Sequence, residues 1–185
     1  MSHPEESRRP VVAPTQINYL IPAGLAEGGA VVKVLEGSRV VRAGIIQIRR
    51  IAPSIFTVTA DGKGIPAAFI QRVKADGDSV YELISRFDAT TNRHVETPID
   101  LGPETDRVFL SLLGTGLRNR DPAKGITAKI GDTPVEVLYA GLQPTLPGVD
   151  QINLALPRSL LGRGKSNVNI AVEGESTNTV QINIK

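Results

Sequence analysis

At 185 residues the chain can form one substantial hydrophobic core or two small ones. With 41% hydrophobic and 22% charged residues it is not a disordered polymer, and with 4% aromatic residues and no Trp its core must be aliphatic. The net charge of +2 is a small surplus of 21 basic over 19 acidic residues, and Arg8-Arg9 and Arg49-Arg50 are isolated pairs, so neither the basic face nor the interleaved aromatics of a nucleic-acid binder are present. The absence of Cys excludes disulfides, thiol catalysis and thiolate metal sites. No stretch approaches the roughly 18 apolar residues of a membrane span, so none is expected.

Met1 to Pro10 are polar and charged and lack the apolar core of an export signal, so a disordered lead is expected over 1–12. Short β-branched runs follow at Val31–Leu35, Gly44–Arg50 and Ser54–Thr59. Ala67 to Lys74 could make two turns of helix, although Arg72-Val73-Lys74 suits a strand equally well. Further runs lie at Arg107–Leu113, Gly125–Ile130, Val135–Tyr139, Gln151–Leu156, Asn167–Val172 and Thr179–Ile184. Gly, Pro, Asn and Asp separate them, the pattern of an all-β sandwich or barrel. Alternation is clearest at the end: Val168, Ile170 and Val172, then Val180, Ile182 and Ile184, are expected to face inward, with Asn167, Asn169, Gln181 and Asn183 outward. Glu173-Gly174 supplies the turn of a tight hairpin between them.

The chain also repeats itself. Gln16-Ile17-Asn18, Pro22 and Leu25 recur at one constant offset as Gln151-Ile152-Asn153, Pro157 and Leu160. Glycines follow in both copies, then a β-branched run, then Glu36-Gly37 or Glu173-Gly174, then Ile46-Gln47-Ile48 or Val180-Gln181-Ile182. Three antiparallel strands are thus used twice. The recurrence assigns Gln-Ile-Asn a structural role, with Ile facing the core and the polar side chains bonding turn backbone or a neighbouring loop. Four further strand candidates precede the late copy, whereas only the polar lead precedes the early one. The early copy therefore reads as the second half of a module, with an uncovered apolar face and an unpaired edge near residues 15–48.

From about Arg107 the chain resembles an immunoglobulin-like domain of the IPT/TIG kind, on Leu113-Gly114-Thr115-Gly116, Ile126 to Asp132, Pro134-Val135, Gln151-Ile152-Asn153, Pro157 and Ser176 to Val180. From about Ala13 to Lys185 it is similar to an uncharacterised C-terminal domain of secreted Acidobacteria (Solibacter-type) proteins. That likeness rests on Gln16-Ile17-Asn18-Tyr19 with Pro22, Ala52 to Thr57, Pro98 to Pro103, Gly114-Thr115-Gly116, Tyr139-Ala140-Gly141, and Asp150 to Asn153 through Leu156-Pro157. The resemblance implies paired β-sandwich modules, an extracellular or cell-surface location and no catalytic residues. It also implies strands upstream of Gln16 that this chain lacks, so the chain is expected to be a piece of a longer protein.

Candidate chemistry is sparse. His3 lies in the lead, and His94, in Thr91-Asn92-Arg93-His94, has no second His beside it, so both are expected to be solvated. No G-x-S-x-G elbow is present. Gly62-Lys63-Gly64 and Gly114-Thr115-Gly116 complete no phosphate-loop pattern and are expected to be turn and bulge glycines. Asp76-Gly77-Asp78 and the group Asp100, Glu104 and Asp106 are weak calcium candidates set against a bland reading as a turn and a solvated linker. No metal and no cofactor are expected. Tyr19, Phe69, Tyr81, Phe87 and Tyr139 are few and scattered, which ranks polysaccharide binding low.

The expected architecture is an all-β, immunoglobulin-like antiparallel β-sandwich, one complete module plus a partial repeat of it. A partial module spans 13–50, an insert of hairpins 51–100 and the complete module 101–185, with Pro98 to Pro103 as the seam. The expected function is a non-catalytic cap, spacer or adhesion module of an extracellular protein, with carbohydrate or other ligand binding as the alternative. The expected partner is a protein, or upstream strands, completing the open edge near 15–48.

Overall fold

The computed structural model of the chain describes residues 11–13 and 16–185. The expected lead, with His3, lies outside them apart from its last two residues. The chain divides into two compact units, residues 1–50 and 51–185.

The first unit holds four strands: β1 (Val11–Ala13), β2 (Gln16–Asn18), β3 (Gly28–Glu36) and β4 (Arg39–Ile48). β1 pairs with β2, and β3 pairs with β4, in two antiparallel ribbons. Gly37, at φ +61°, opens the two-residue turn joining β3 to β4. Among the described residues of this unit, none is fully buried.

The second unit is a sandwich of antiparallel sheets. Its strands are β5 (Ser54–Ile55), β6 (Ala68–Val73), β7 (Ser79–Leu83), β8 (Ser85–Asp88), β9 (Arg93–Glu96), β10 (Arg107–Thr115), β11 (Ile126–Ile130), β12 (Thr133–Val135), β13 (Val137–Leu142), β14 (Asp150–Ala155), β15 (Gly164–Val172), β16 (Glu175–Ser176) and β17 (Val180–Ile184). One sheet runs β13-β14-β10-β6-β7, with β5 also on β10. The other runs β12-β11-β15-β16, with β17 also on β15. Ile70, Leu110, Leu112, Ile152 and Leu154 from the first sheet meet Ile130, Val168, Ile170, Val172, Val180, Ile182 and Ile184 from the second in one aliphatic core. The expected alternation at the end of the chain is present: the three inward residues of β15 and of β17 are buried while Asn167 and Asn169 are exposed.

The ambiguous stretch Ala67 to Lys74 is a strand, β6, because Ile70 on it must reach the core beside Leu110. Residues 51–100, expected as an insert of hairpins, are split. β5 and β6 pair with β10, β7 extends the sheet from β6, and only β8 and β9 form a separate hairpin. Pro98 to Pro103 is likewise more than a seam. Ile99 and Leu101 are buried, and Ile99 bridges Ile184 in parallel, donating from its N–H to Asn183 O and accepting from Lys185 N–H, both at 2.8 Å. Apolar residues at every second position pull this stretch into the core.

Gly114 and Gly116 show why the last turn of β10 is glycine-rich. Ala52 N–H donates to Gly116 O at 3.1 Å, and β5 lies against Gly114. A Cβ on Gly116 would sit 2.0 Å from Ala52 O, and one on Gly114 would sit 2.2 Å from Ser54 O. These contacts are with backbone, which cannot step aside as a flexible side chain can. Gly116→Ala is therefore expected to destabilise the sandwich by about 3 kcal/mol, through the clash and through its φ of +87°. Urea unfolding of the variant measures this, and a loss below about 1 kcal/mol would show that β5 does not depend on that approach.

Candidate functional site

The acidic candidates come first, since they carry the sequence's hint of calcium. Asp76 Oδ1 accepts from Asp78 N–H at 3.0 Å, an ordinary turn within the β6–β7 connection. Asp100 Oδ1 accepts from Gly102 N–H at 2.8 Å, and its Oδ2 lies 3.5 Å from Lys185 Nζ. Asp106 is engaged by Arg72, whose Nη1 lies 3.5 Å from its Oδ2. Glu104 is exposed. Among the described residues no three acidic or histidine side chains gather as a metal site.

Arg72 is the reason the 100–106 loop holds its shape. It sits buried on β6, donates from Nε to Glu82 Oε1 at 2.7 Å and from Nη2 to Asp100 O at 2.6 Å, and faces Asp106. The Glu82 bond, followed by the charges of Glu82 and Asp106, pushes the guanidinium pKa still higher against the cost of burial. Arg158 adds two bonds of 2.7 Å from Nη1 to Leu101 O and Gly102 O. Two arginines thus occupy the ground on which a cation would have to stand.

Other polar groups are also spent on the fold. Buried Asp150 accepts from Leu117 N–H at 2.8 Å and faces Arg118 Nε at 3.4 Å. Asn178 Oδ1 accepts from Ile55 N–H at 2.7 Å, and its Nδ2 donates to Ile55 O at 3.0 Å and Gly62 O at 2.8 Å. That side chain ties the β5 segment to the β16–β17 junction, and it explains Gly62 as a docking turn. Asn178, Arg72 and Arg158 act across long sequence separations and leave no local mark in the sequence. His94 is exposed and meets the Phe87 ring edge-on at 5.5 Å, while Phe69 and Tyr81 pair at 5.8 Å on a different sheet. These are two separate pairs, and Tyr19 and Tyr139 are exposed outside both, Tyr139 donating from its hydroxyl to Leu142 O.

The Gln-Ile-Asn motif behaves alike in both copies in one respect. Gln16 Nε2 donates to Asn18 Oδ1 at 2.6 Å, and Gln151 Nε2 to Asn153 Oδ1 at 2.7 Å. The polar pair bonds to itself along one strand face, not to turn backbone or a neighbouring loop. The central Ile differs. Ile152 is buried, whereas Ile17, expected to face a core, is exposed. Likewise Leu160, in the 3-10 turn after Pro157, is buried, and Leu25, after Pro22, is exposed.

The hairpins of the two copies match residue for residue. Gly28 pairs with Ile48 as Gly164 pairs with Ile184, and Val31 pairs with Ile45 as Asn167 pairs with Gln181, every counterpart being 136 positions on. This places Ile46-Gln47-Ile48 opposite Ile182-Asn183-Ile184, two residues beyond the Val180-Gln181-Ile182 match expected from sequence. It also aligns Gly37 with Glu173, the residue at φ +53° that opens the late turn, so the two Glu-Gly dipeptides sit one position out of step. Further back, Val11↔Asn18, Val12↔Ile17 and Ala13↔Gln16 repeat the pairing Tyr139↔Asn153, Ala140↔Ile152 and Gly141↔Gln151. β1 is the counterpart of β13. The first unit therefore holds counterparts of β13, β14, β15 and the β17 return strand, and among the described residues none of β10, β11 or β12.

Coverage separates the twins. On one face of the early hairpin Val32, Val34 and Ile46 are half-buried and, with Tyr19, Arg42, Ala43 and Gly44, line a groove of about 220 Å³. On the other face Val31 is 61% exposed and Ile45 79% exposed, flanked by exposed Leu35 and Val40. Their late counterparts Asn167 and Gln181 are polar and bond to each other at 3.4 Å.

No known protein family, curated protein or solved structure matches the chain.

Asp100 offers a pH test of the loop. The Gly102 N–H holds its carboxyl below the usual 3.8 against the cost of desolvation, and the charge of Lys185 adds to the lowering. A carboxylate with a depressed folded pKa stabilises the fold above its unfolded pKa, and that contribution disappears as pH falls through the folded value. Asp100→Asn is therefore expected to lose less Tm than the parent chain between about pH 5 and about pH 2. Calorimetric melts measure this, and parallel acid limbs would show that the Gly102 bond is not linked to stability.

Proposed function

We propose that the chain is a non-catalytic interaction module of an exported bacterial protein. In this reading the second unit is an immunoglobulin-like sandwich of the IPT/TIG kind acting as a rigid cap or spacer, and residues 16–48 are its docking element for another polypeptide. The observation that carries the reading is the pair of hairpins in identical register, one covered by a second sheet, the other only half-buried over a groove on one face and bare on the other. A two-stranded ribbon alone in water is marginal, and each large aliphatic side chain it leaves exposed forgoes about 1.5–3 kcal/mol of burial. The polar side chains of Arg72, Asp150, Arg158 and Asn178 are engaged with backbone, which supports a structural role for them. The Phe69–Tyr81 and Phe87–His94 pairs lie on different sheets, which does not favour a shared carbohydrate platform.

Grafting the late module's polar pair onto the early one tests the reading. The parent chain is expected to bind the hydrophobic dye bis-ANS, and Val31→Asn with Ile45→Gln is expected to remove most of that fluorescence while shifting Tm by less than about 2 °C. A parent chain that binds no dye would contradict the proposal.

A further inference from the structure

Resting on that reading, we infer that the free edge of β3 pairs antiparallel with an acidic, aliphatic strand donated by another protein, in the register β11 uses on β15. The late module supplies the template. There β15 has β17 on one edge and β11 on the other, with Ala128 opposite Ile170, Lys129 opposite Asn169 and Ile130 opposite Val168. The early counterparts of Ile170, Asn169 and Val168 are Val34, Lys33 and Val32. Among the described residues β3 is paired with β4 alone, so the edge taken by β11 in the late module is unpaired in the early one. An incoming strand in that register sets small or branched aliphatic side chains against Val32 and Val34, over the groove, and one outward residue directly opposite Lys33.

Charge selects the donor. On β3 and β4 Arg39 pairs with Glu36, and the other charged side chains of the two strands, Lys33 and Arg42, are both basic. A second copy of this chain brings the same surplus and is disfavoured, whereas an acidic strand is steered to the edge.

Two synthetic peptides serve as probes: the β11–β12 segment Gly125–Val135 as it stands, and the same segment with Lys129→Glu. The Glu peptide is expected to bind the full chain about three-fold or more tighter than the Lys peptide, since it sets an acid and not a second lysine opposite Lys33. Lys33→Glu in the chain is expected to reverse that order, and isotope-edited NMR is expected to show cross-strand contacts from the peptide to Val32 and Val34. Absence of binding by either peptide at about 1 mM, or a peptide preference unmoved by Lys33→Glu, would overturn the edge and register assigned here. So would concentration-dependent dimerisation through β3, which would make a second copy the occupant. If the parent chain still binds bis-ANS in those cases, the docking-element reading stands and only the strand assignment falls. If it binds neither dye nor peptide, both fall.

Discussion

A β-sheet whose side chains alternate between apolar and polar must have its apolar face covered, because only the second layer removes that face from water. Everything characteristic of this chain follows from meeting that requirement in one unit and not in the other. In the second unit Val168 and Ile170 on β15 and Ile182 on β17 share one core with Leu110, Leu112 and Ile152, and the outward Asn167 and Gln181 form a bonded pair. In the first unit Val32, Val34 and Ile46 hold the same places in the same register, yet a groove lies over them where a sheet should be. The outward places hold Val31 and Ile45, residues that water does not favour.

The polar side chains tell a consistent story. A catalytic or metal site leaves charged groups converging on a space that a substrate or ion can enter. In the sandwich the buried or half-buried polar groups converge on backbone and on one another instead. Arg72 and Arg158 close on the carbonyls of the 100–102 loop, Asp150 closes on Leu117 N–H, and Asn178 doubles as a strand edge for Ile55. These contacts fix where long connections meet the sheets. Losing one would leave a buried group without its partner, which accounts for such residues by their part in the fold.

Much of this was legible in the residues alone. The β-branched runs fall on strands, and Val168, Ile170, Val172, Val180, Ile182 and Ile184 are buried where a two-residue period puts them. The repeat was visible through Gln-Ile-Asn, Pro and Leu, because these positions tolerate few alternatives at a strand end. Its register was misjudged by one or two residues, since Glu-Gly and the Ile-Gln-Ile run recur close to themselves and a local match cannot tell neighbouring slips apart. β7, β8 and β9 could be placed only as hairpins somewhere within 51–100, because no residue of Ser79–Leu83 or Arg93–Glu96 is fully buried and the two carry little apolar periodicity. The place of β5 and β6 beside β10 was hidden for a different reason. That pairing spans dozens of residues and announces itself only through Gly114 and Gly116, whose missing side chains make room for a backbone they never adjoin in sequence.

Residue-resolved amide hydrogen exchange on the unmodified chain tests the central contrast most directly. With twins in one register and only the late one covered, the inward amides of β15 and β17 are expected to exchange through global opening. Their counterparts in β3 and β4, 136 positions earlier, are expected to exchange orders of magnitude faster through local opening. Equal protection of the two hairpins in the free chain would contradict the contrast, because it would mean that the early hairpin needs no further layer.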